Sequence, residues 1–435
     1  MKVVTMMVRR RACFLANTGR MSLPMESQNA AFAPNTSHVW TRREWIAASL
    51  AGVATAGCSR SSGGRQGNVD KGTIRILVWS DYFAGVTETI GPDGEMIRTD
   101  IQEAVITRFE KKTNIKIDIT LFDSNEELYR LLTAEDAAFD IAMPSGFMVH
   151  QLNEEGWLRP ILASAVPNSQ FIDSRRFKLT FDPEMTFAFP YIWGSTGIAY
   201  NIEKVDGIPR HWSDLFDRSK KRDDEKIKIA LLDDGRFTLS TALIYLGYSP
   251  NTRILAEIEA AGQLVRSLRS SVGSLESGMM AHKLAAGSIH LALTWSGHVT
   301  SAMQTNKSIR FQLPAEGSVM FKDCFVLPYT RAEKLAASSG KGVLWTERQE
   351  DAARFLNYLL EPEVAATVTN FSCFATTLTV ARKFVHRNIL NGAAYFLNAN
   401  GKDFPLEQAD TTNGDFQRVW SEVRSLWPKT PHKKR

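Results

Sequence analysis

Residues 73–82 read TIRILVWSDY, and this stretch points to the fold class. The run Ile74–Trp79 is apolar except for Arg75, which is typical of a strand buried on both faces of a sheet. Amphipathic helical patterns and short apolar strands alternate from there to a strand at Ile289–Thr294. The predicted helices include Ser124–Leu132, Met148–Glu155 and Glu276–Ala286. Strand–helix alternation over this length predicts an α/β fold with largely parallel sheets.

The composition is that of a globular protein of two domains. The chain has 435 residues, of which 44% are hydrophobic and 23% charged. Its net charge of +5 comes from the first 57 residues, which carry seven basic and two acidic side chains. From Cys58 onward there are 45 of each. Because this body is neutral, its charge gives no reason to expect nucleic-acid binding.

Residues 1–57 are predicted to be an export signal with a long N-terminal region. Arg42 and Arg43 closely precede the mostly apolar run Ile46–Gly57, which has 12 residues. That run is too short for a permanent membrane span and has the length of a signal-peptide core. A pair of arginines before such a core indicates the twin-arginine export route. The alternative is a chance pair of basic residues before a buried helix.

Cys58 is predicted to carry a lipid anchor. The segment Thr55-Ala56-Gly57-Cys58 resembles a lipobox, with Thr55 in place of the usual Leu. Residues 54–56 also fit a signal-peptidase site, so cleavage without lipidation stays open. The polar run after Cys58 favours lipidation because it is suited to a tether, and residues 58–72 are assigned to the anchor and tether. We therefore expect the mature protein in the periplasm or on the extracytoplasmic face of the membrane.

Sequence motifs of the common enzymes and cofactor sites are absent. The sequence contains no P-loop, no GxGxxG after a strand, no HExxH and no GxSxG. The eight histidines show no metal-ligand spacing, and Cys324 and Cys373 each lack a CxxC partner. We therefore predict no enzymatic activity, no cofactor and no metal. The two cysteines could form one disulfide in an oxidising compartment, which their spacing does not decide.

Seven segments, in the same order along the chain, resemble the periplasmic polyamine-binding proteins of ABC transporters, the spermidine/putrescine receptors. One is WSDY at 79–82, like the WSDY or WTEY of that family, and another is PYIWGST at 190–196, like its PYIWGAT. The others lie at Asp123–Tyr129, Asp140–Ser145, Trp212–Phe216, Leu246–Ser249 and Leu359–Ala365. The likeness extends from about Thr73 to Trp427.

This resemblance implies the two-lobed, Venus-flytrap fold of type II periplasmic binding proteins, with a hinge of crossing strands and a central cleft. Lobe 1 would comprise residues 73–194 and 323–381, and lobe 2 residues 195–322 and 382–430. The resemblance also implies a monomer that binds a small amine and delivers it to ABC permease subunits in the inner membrane. Two alternatives stay open. One is binding of another amine, an amino-acid derivative or an opine-like solute, and the other is a ligand-sensing lipoprotein coupled to a receptor.

A polyamine site needs aromatic walls for the methylene groups and carboxylates for the ammonium groups. Carried over motif by motif, the resemblance supplies such groups from both lobes. The predicted aromatic walls are Trp79, Tyr82 and Trp295. The predicted carboxylates are Asp81, Asp234 and Asp323, and the predicted polar groups are Ser80, Ser145 and Gln417. Further aromatic positions of the family are matched by Phe147, Phe321 and Phe374.

Several of these residues have a structural alternative. Trp79 and Trp295 each end an apolar strand and could be ordinary core residues. Asp234 could cap the helix that follows it, and Ser145 could belong to a turn and helix cap. Asp323 enters an apolar strand, where an acid needs a partner, so it could be a member of a structural ion pair.

Two departures from the family pattern remove negative charge from one end of the cleft. Phe237 stands where the family commonly has Glu, and His298 stands where putrescine-binding members have an acid after Trp-x-Gly. A buried ammonium without a carboxylate is unfavourable by several kcal/mol, so a fully charged triamine fits less well. A protonated His298 would also repel a cation. The alternative for Phe237 is a core residue at the start of its helix.

A third departure is an insertion. Residues 83–100 add well over a dozen residues between the first strand and its helix. We expect a loop near the rim of the cleft, with an exposed turn at Gly91–Gly94.

The export signal makes a first prediction. Replacing Arg42 and Arg43 together by Lys should block translocation, because the twin-arginine route reads that pair. The measurement is the distribution of the protein between cytoplasmic, periplasmic and membrane fractions. Replacing Arg9 and Arg10 by Lys is the matched control and should leave export unchanged. Normal export of the Arg42/Arg43 variant would point to the general secretory route instead.

The lipid anchor makes a second prediction. Cys58→Ala removes the thiol that would be acylated, so the exported protein should leave the membrane fraction and appear in the soluble periplasmic fraction. Continued membrane association of this variant would show that a retained signal helix or another contact is the anchor.

Overall fold

The computed structural model describes residues 72–90, 95–217, 227–397, 401–406 and 413–427. The predicted export signal, with Arg42 and Arg43, lies outside the described residues, and so does the predicted lipidation site at Cys58.

The described strands form a large mixed sheet and a separate two-stranded hairpin. The strands are β1 Thr73–Trp79, β2 Val86–Ile90, β3 Met96–Asp100, β4 Lys116–Phe122, β5 Ile141–Ala142, β6 Leu158–Arg159, β7 Ala188–Asn201, β8 Ile229–Leu231, β9 Val272–Leu275, β10 Leu291–Trp295, β11 Ile309–Gln312, β12 Ser318–Pro328, β13 Ala375–Thr376 and β14 Asp403–Pro405. The order across the large sheet is β4-β1-β5-β12-β7-β10-β8-β9. The short strands β6 and β14 pair with β12, and β11 and β13 pair with β7.

The long strands β7 and β12 lie side by side in the middle of this sheet and run antiparallel. On one side β1 is parallel to β4 and β5, and on the other β8 is parallel to β9 and β10. The predicted α/β class is therefore confirmed, and the parallel pairing holds on both sides of the antiparallel centre. Every residue of β7 is buried, as expected for a strand with sheet on both sides of it.

Strands β7 and β12 also carry part of the core. Tyr191 and Trp193 in β7 are almost completely buried. The ring of Tyr191 lies 4.7 Å from that of Phe325 in β12, and the indole Nε1 of Trp193 donates a hydrogen bond to the carbonyl oxygen of Thr376 at 3.2 Å. These contacts fix β12 and β13 against the same central strand.

Helices alternate with the strands along the chain. They are α1 Ser80–Phe83, α2 Arg108–Thr113, α3 Asn125–Leu132, α4 Gly146–Glu154, α5 Ser174–Phe177, α6 Ser213–Phe216, α7 Gly235–Tyr245, α8 Leu255–Ser267, α9 Met280–Ala285, α10 Ser296–Thr305, α11 Arg331–Ser338, α12 Glu347–Leu359, α13 Pro362–Ser372, α14 Arg387–Leu390 and α15 Asn413–Arg424. A π-helical turn, Gln102–Thr107, precedes α2. In the described part of the chain, no helix has both the length and the apolar character needed to span a bilayer.

Two predicted helices differ from the structure at their first residues. The helix predicted from Met148 starts at Gly146, directly after Ser145. The helix predicted from Glu276 starts only at Met280. Glu276 lies before this helix, and its side chain accepts a hydrogen bond from the backbone nitrogen of Met279 at 3.2 Å.

The insertion at residues 83–100, predicted to be a loop, contains the β2–β3 hairpin. The two strands pair antiparallel, from Val86 opposite Asp100 to Ile90 opposite Met96. The side chains of β3 are exposed or half-buried, so no apolar run marked this strand in the sequence. The predicted turn at Gly91–Gly94 lies outside the described residues.

Gly194 in β7 lies opposite Phe321 in β12 and packs closely against its ring. A Cβ atom at Gly194 would lie 2.7 Å from Cζ of Phe321 and 3.0 Å from Oγ of Ser296. Real Cβ atoms do not approach ring carbons this closely, so a larger residue would push the Phe321 ring out of place.

Gly194→Ala should therefore lower the free energy of unfolding by about 1–3 kcal/mol, the usual effect of overpacking a close-packed interior. Urea denaturation measures this change. Gly273→Ala in β9 is the matched control, because its Cβ would meet only the carbonyl oxygen of Ile229, at 3.6 Å. That control should change stability by less than about 0.5 kcal/mol. Equal effects of the two substitutions would show that the Gly194 contact is not tight.

Candidate ligand-binding site

A small cavity, whose empty space of about 230 Å³ includes its opening to solvent, lies beside the carboxyl ends of β1 and β10. Its lining consists of aromatic side chains, two carboxylates and one serine, namely Trp79, Asp81, Tyr82, Ser145, Phe237, Trp295, Phe321, Asp323 and Phe374. All of these residues were singled out in the sequence. The structure thus brings together residues that are up to 295 positions apart in the chain.

Strand ends and the turns after them position most of the lining. Strand β1 ends at Trp79, and α1 follows at once with Asp81 and Tyr82. Strand β10 ends at Trp295 in the same way. The carboxyl ends of strands are the usual place for ligand sites in α/β sheets, because loops and helix starts converge there. Strand β12 contributes Asp323 from the middle of its length.

Asp323 is the buried carboxylate of the cavity, with 2% of the residue exposed. The pairing of β12 with β7 shifts register between Asp323 and Cys324, and such a bulge redirects the side chain next to it. The two carboxylate oxygens accept hydrogen bonds from Oγ of Ser145 and from the hydroxyl of Tyr82, each at 2.6 Å. Both donors are neutral hydroxyl groups, and neither is a basic side chain.

The surroundings of Asp323 disfavour its charged form. Burial raises the pKa of Asp323 to about 7, although the hydrogen bonds from Ser145 and Tyr82 act in the lowering direction. The charge of Asp81 adds a smaller upward effect. Burial, followed by the charge of Asp323, also raises the pKa of Tyr82, which keeps its hydroxyl a donor. The cavity therefore holds a carboxylate that lacks a matching positive charge.

Asn125 was not predicted as a site residue, yet it positions Ser145. Its Oδ1 accepts a hydrogen bond from the backbone nitrogen of Ser145 at 3.0 Å, and its Nδ2 donates to Oγ of Ser145 at 3.1 Å. The hydroxyl of Ser145 makes no helix-capping hydrogen bond and is directed to Asp323. Asn125 lies inside the polyamine-receptor-like segment Asp123–Tyr129, so that segment was the available signal.

The second carboxylate of the lining, Asp81, is held by His298. Its Oδ2 lies 3.1 Å from Nε2 of His298, and Nδ1 of that ring lies 3.2 Å from Oγ1 of Thr294. The Asp81 side chain is 24% exposed, whereas that of His298 is 5% exposed. His298 thus stands behind Asp81 instead of lining the cavity, and Thr294, missed in the sequence, fixes the ring from the other side.

Aromatic rings close the cavity from several directions. The ring centroid of Trp295 lies 6.2 Å from that of Trp79 and 5.4 Å from that of Phe237, both in edge-on arrangements. Phe374 meets Tyr82 edge-on at 5.3 Å. The indole Nε1 atoms of Trp79 and Trp295 are buried and have no hydrogen-bond partner among the described residues. These two donors are therefore available for a group inside the cavity.

Five predicted site residues lie outside the lining: Ser80, Phe147, Asp234, His298 and Gln417. Ser80 donates a hydrogen bond to Oδ1 of Asp123, and Phe147 packs edge-on against Phe237 with centroids 6.4 Å apart. Gln417 is half-buried on α15.

Asp234 has the helix-capping role that was weighed as its alternative. Its Oδ1 accepts a hydrogen bond from the backbone nitrogen of Phe237 at 3.1 Å and so caps α7. Its Oδ2 is buried and has no hydrogen-bond partner in the described part of the chain. Capping therefore accounts for only one of its two oxygens.

Metal chemistry finds no support among the described residues, which contain no group of three His, Cys, Asp or Glu side chains placed to hold a metal ion. Cys324 and Cys373 are both buried thiols, and burial raises the pKa of Cys373 to about 12. A thiol with a raised pKa is a poor nucleophile.

The chain is similar in sequence to known bacterial binding proteins. Residues 104–389 match the family described as bacterial extracellular solute-binding protein. The chain is 30% identical over 350 residues to the spermidine/putrescine-binding periplasmic protein of Escherichia coli, covering 80% of this chain and 88% of that protein. The protein of the same name from Salmonella typhimurium is 28% identical over 388 residues, covering 88% of this chain and 97% of that protein.

Solved structures agree with this relationship. A Listeria monocytogenes structure assigned to a spermidine/putrescine ABC transporter is similar with a TM-score of 0.69 and 25% sequence identity. The likeness covers 82% of this chain and all of that one. The resemblance predicted from the sequence is confirmed. The chain belongs to the bacterial extracellular solute-binding proteins, which are transport proteins and not enzymes, and it has the two-lobed α/β fold of the periplasmic polyamine-binding members.

Proposed function

We propose that this protein binds a polyamine or a related amine, such as putrescine or spermidine, in the cleft between its two lobes and delivers it to an ABC permease. Lobe 1 comprises residues 73–194 and 323–381, and lobe 2 residues 195–322 and 382–430. The observation that carries the proposal is the buried carboxylate of Asp323, which has two hydroxyl partners but no cationic partner among the described residues.

Asp323 favours a cationic ligand on physical grounds. A buried carboxylate with a raised pKa is unstable in its charged form until a positive group approaches it. An ammonium group supplies both the charge and N–H donors, and charge-assisted hydrogen bonds are the strong ones. An anionic solute such as phosphate or sulfate would meet the charges of Asp81 and Asp323 and would need basic groups instead. The charges of the lining therefore support a ligand with an amino group.

The aromatic lining suits the carbon chain of such an amine. Trp79, Trp295, Phe237, Phe321 and Phe374 present ring faces and edges to the cavity. These surfaces bury methylene groups and attract cations through their π systems.

The sheet gives a mechanism for closing around the ligand. In the described part of the large sheet, the central strands β7 and β12 lie between the β4-β1-β5 side and the β10-β8-β9 side. The bond between Asp81, at the end of β1, and His298, after β10, links those halves beside the cavity. We propose that β7 and β12 form the hinge and that closure brings the lobe 2 aromatic residues Trp295 and Phe237 over an amine held by lobe 1.

A second candidate ligand is an amino-acid derivative, for instance an ω-amino acid. It is favoured by the unpartnered indole Nε1 donors of Trp79 and Trp295, because an ammonium cannot accept a hydrogen bond whereas a carboxylate can. It is also favoured by the contact between His298 and Asp81, which occupies one oxygen of the Asp81 carboxylate.

We further propose that the protein works as a monomer in the periplasm, exported by the twin-arginine route and anchored through Cys58. The related proteins from Escherichia coli and Salmonella typhimurium are periplasmic, which supports the location. The route and the anchor rest on the sequence alone.

A thermal-shift screen of residues 59–435 against diamines, triamines, ω-amino acids and dicarboxylates tests the proposed function. A ligand that binds only the native state raises the melting temperature, and the rise grows with the logarithm of the ligand concentration above the dissociation constant. Stabilisation by putrescine or spermidine, and none by dicarboxylates, is expected. Stabilisation by an ω-amino acid alone would select the second candidate, and stabilisation by anions alone would contradict both.

Asp323→Asn should weaken amine binding by about 2–4 kcal/mol, or roughly 30- to 1,000-fold, because the shape is kept while the charge opposite the ammonium is lost. Isothermal titration calorimetry measures this. Asp182→Asn is the matched control, since Asp182 is equally a buried aspartate but accepts hydrogen bonds from the backbone nitrogens of residues 186–188. That control should lower stability and leave affinity unchanged.

The same variant has an expected effect on stability. The pKa of Asp323 is higher in the folded protein than its ordinary value of 3.8, so the folded state binds the proton more tightly. Its contribution to stability therefore declines as pH rises from about 4 to about 7 and stays low above that. Ligand-free Asp323→Asn should thus melt no lower than the wild type at pH 8. Clear destabilisation at pH 8 with unchanged amine affinity would make Asp323 a structural residue.

A further inference from the structure

Two segments of the chain, residues 173–178 and 378–387, together form a basic surface. They lie side by side because Ile172 pairs with Leu378 in an antiparallel bridge, and the backbone nitrogen of Asp173 donates a hydrogen bond to the carbonyl oxygen of Thr377 at 3.3 Å. Six exposed basic side chains follow from this bridge, and we call them the basic patch: Arg175, Arg176, Lys178, Arg382, Lys383 and Arg387.

Aromatic rings connect the two segments of the basic patch. Cζ of Arg176 lies 5.3 Å from the ring centroid of Trp193 in β7, and that ring meets the ring of Tyr395 edge-on at 6.1 Å. Cζ of Arg382 lies 4.9 Å from the ring centroid of Tyr395. These two guanidinium groups therefore lie against aromatic rings on one continuous surface.

The basic patch lies on the face of β7 opposite to the cavity. Successive side chains of a strand point to opposite faces of the sheet, so Trp193 and a Cβ atom at Gly194 point in opposite directions. The Gly194 position faces the ring of Phe321, which lines the cavity. Trp193 and the arginines next to it are therefore on the other face, and a partner bound there would not cover the cavity.

Acidic side chains are scarce in and around the basic patch. No Asp or Glu occurs in the sequence between Glu363 and Asp403. Within the described part of the chain, Arg175 is the one member of the patch with a carboxylate in ion-pair distance, that of Asp173 at 3.4 Å. Glu95 is close enough to His386 to affect its pKa, which marks one border of the patch. A neutral body thus carries a locally positive surface.

Exposed apolar side chains lie among these basic groups. Val380 is 43% exposed and Phe384 is 38% exposed. Nζ of Lys383 lies 4.8 Å from the ring centroid of Phe384. Single exposed apolar residues are common on protein surfaces, but here they stand between basic side chains. This combination suits the surface of an anionic bilayer, where basic groups meet lipid phosphates and apolar groups enter the interface.

We propose that the basic patch binds the anionic phospholipid headgroups of the membrane to which the protein is anchored. A bilayer is favoured over an acidic soluble protein because the predicted anchor at Cys58 would hold the body at high effective concentration next to the lipid. The face of β7 that carries the cavity then points away from the bilayer, so the protein can capture solute while it rests on the membrane. This inference goes beyond the proposed function and does not depend on the identity of the solute.

Sedimentation with lipid vesicles tests the inference on residues 59–435, which contain every described residue and lack the predicted signal and anchor. Phosphatidylcholine vesicles with about 30% phosphatidylglycerol should bind the wild type, and pure phosphatidylcholine vesicles should not. Binding should weaken as ionic strength rises. Lys383→Gln together with Arg387→Gln should lower the partition coefficient about 5- to 25-fold, because each basic side chain near an anionic surface contributes about fivefold.

Two double variants serve as controls. Lys383→Arg with Arg387→Lys keeps both charges and should bind the anionic vesicles like the wild type. Lys204→Gln with Lys307→Gln removes the same net charge from exposed positions at the far end of β7, roughly 26 Å along the strand from Trp193. This distance exceeds the screening length of about 10 Å, so the partition coefficient should stay within about twofold.

The outcomes separate this inference from the proposed function. No sedimentation of the wild type with anionic vesicles, or equal losses in the two Gln variants, would overturn the inference. A loss in the charge-preserving variant as large as in its Gln counterpart would also overturn it, because the effect would then come from the fold. Stabilisation by putrescine should be the same in the wild type and in Lys383→Gln/Arg387→Gln. Binding to anionic vesicles without stabilisation by any amine would support this inference and contradict the proposed function.

Discussion

The burial of the Asp323 charge is the constraint on which the rest of the site depends. A bulge in β12 directs this side chain to the hydroxyls of Ser145 and Tyr82, which can hold a carboxylate in place but cannot neutralise it. A raised pKa is the consequence. Closing the cavity around a charge of this kind is unfavourable unless the ligand brings the opposite charge, and for this reason we propose that ligand binding and closure occur together.

The central strands connect this chemistry to the fold. Strand β12 carries Phe321 and Asp323, and β7 runs beside it with Gly194 under the Phe321 ring. The same two strands are the only link within the described large sheet between the parallel strands on either side. A change at the ligand therefore acts on the strands about which the lobes would rotate. The aromatic lining comes from both sides of this pair, so the proposed amine would contact both lobes at once.

The sequence predicted the fold class and the cavity lining well, and for different physical reasons. The apolar run Ile74–Trp79 predicts a strand buried on both faces, and this prediction does not require knowledge of the strands that pair with it. The lining was found through motifs at strand ends, where ligand sites recur in α/β proteins. The β2–β3 hairpin was missed because exposed strands carry no apolar pattern.

The most direct test of the central claim is the affinity for putrescine as a function of pH. If the ammonium pairs with ionised Asp323, whose pKa is about 7 in the free protein, affinity should rise about tenfold between pH 6 and pH 8 and then level off. In Asp323→Asn this rise should be absent or much smaller. An affinity that is independent of pH over this range in the wild type, or that rises equally in the variant, would contradict the account.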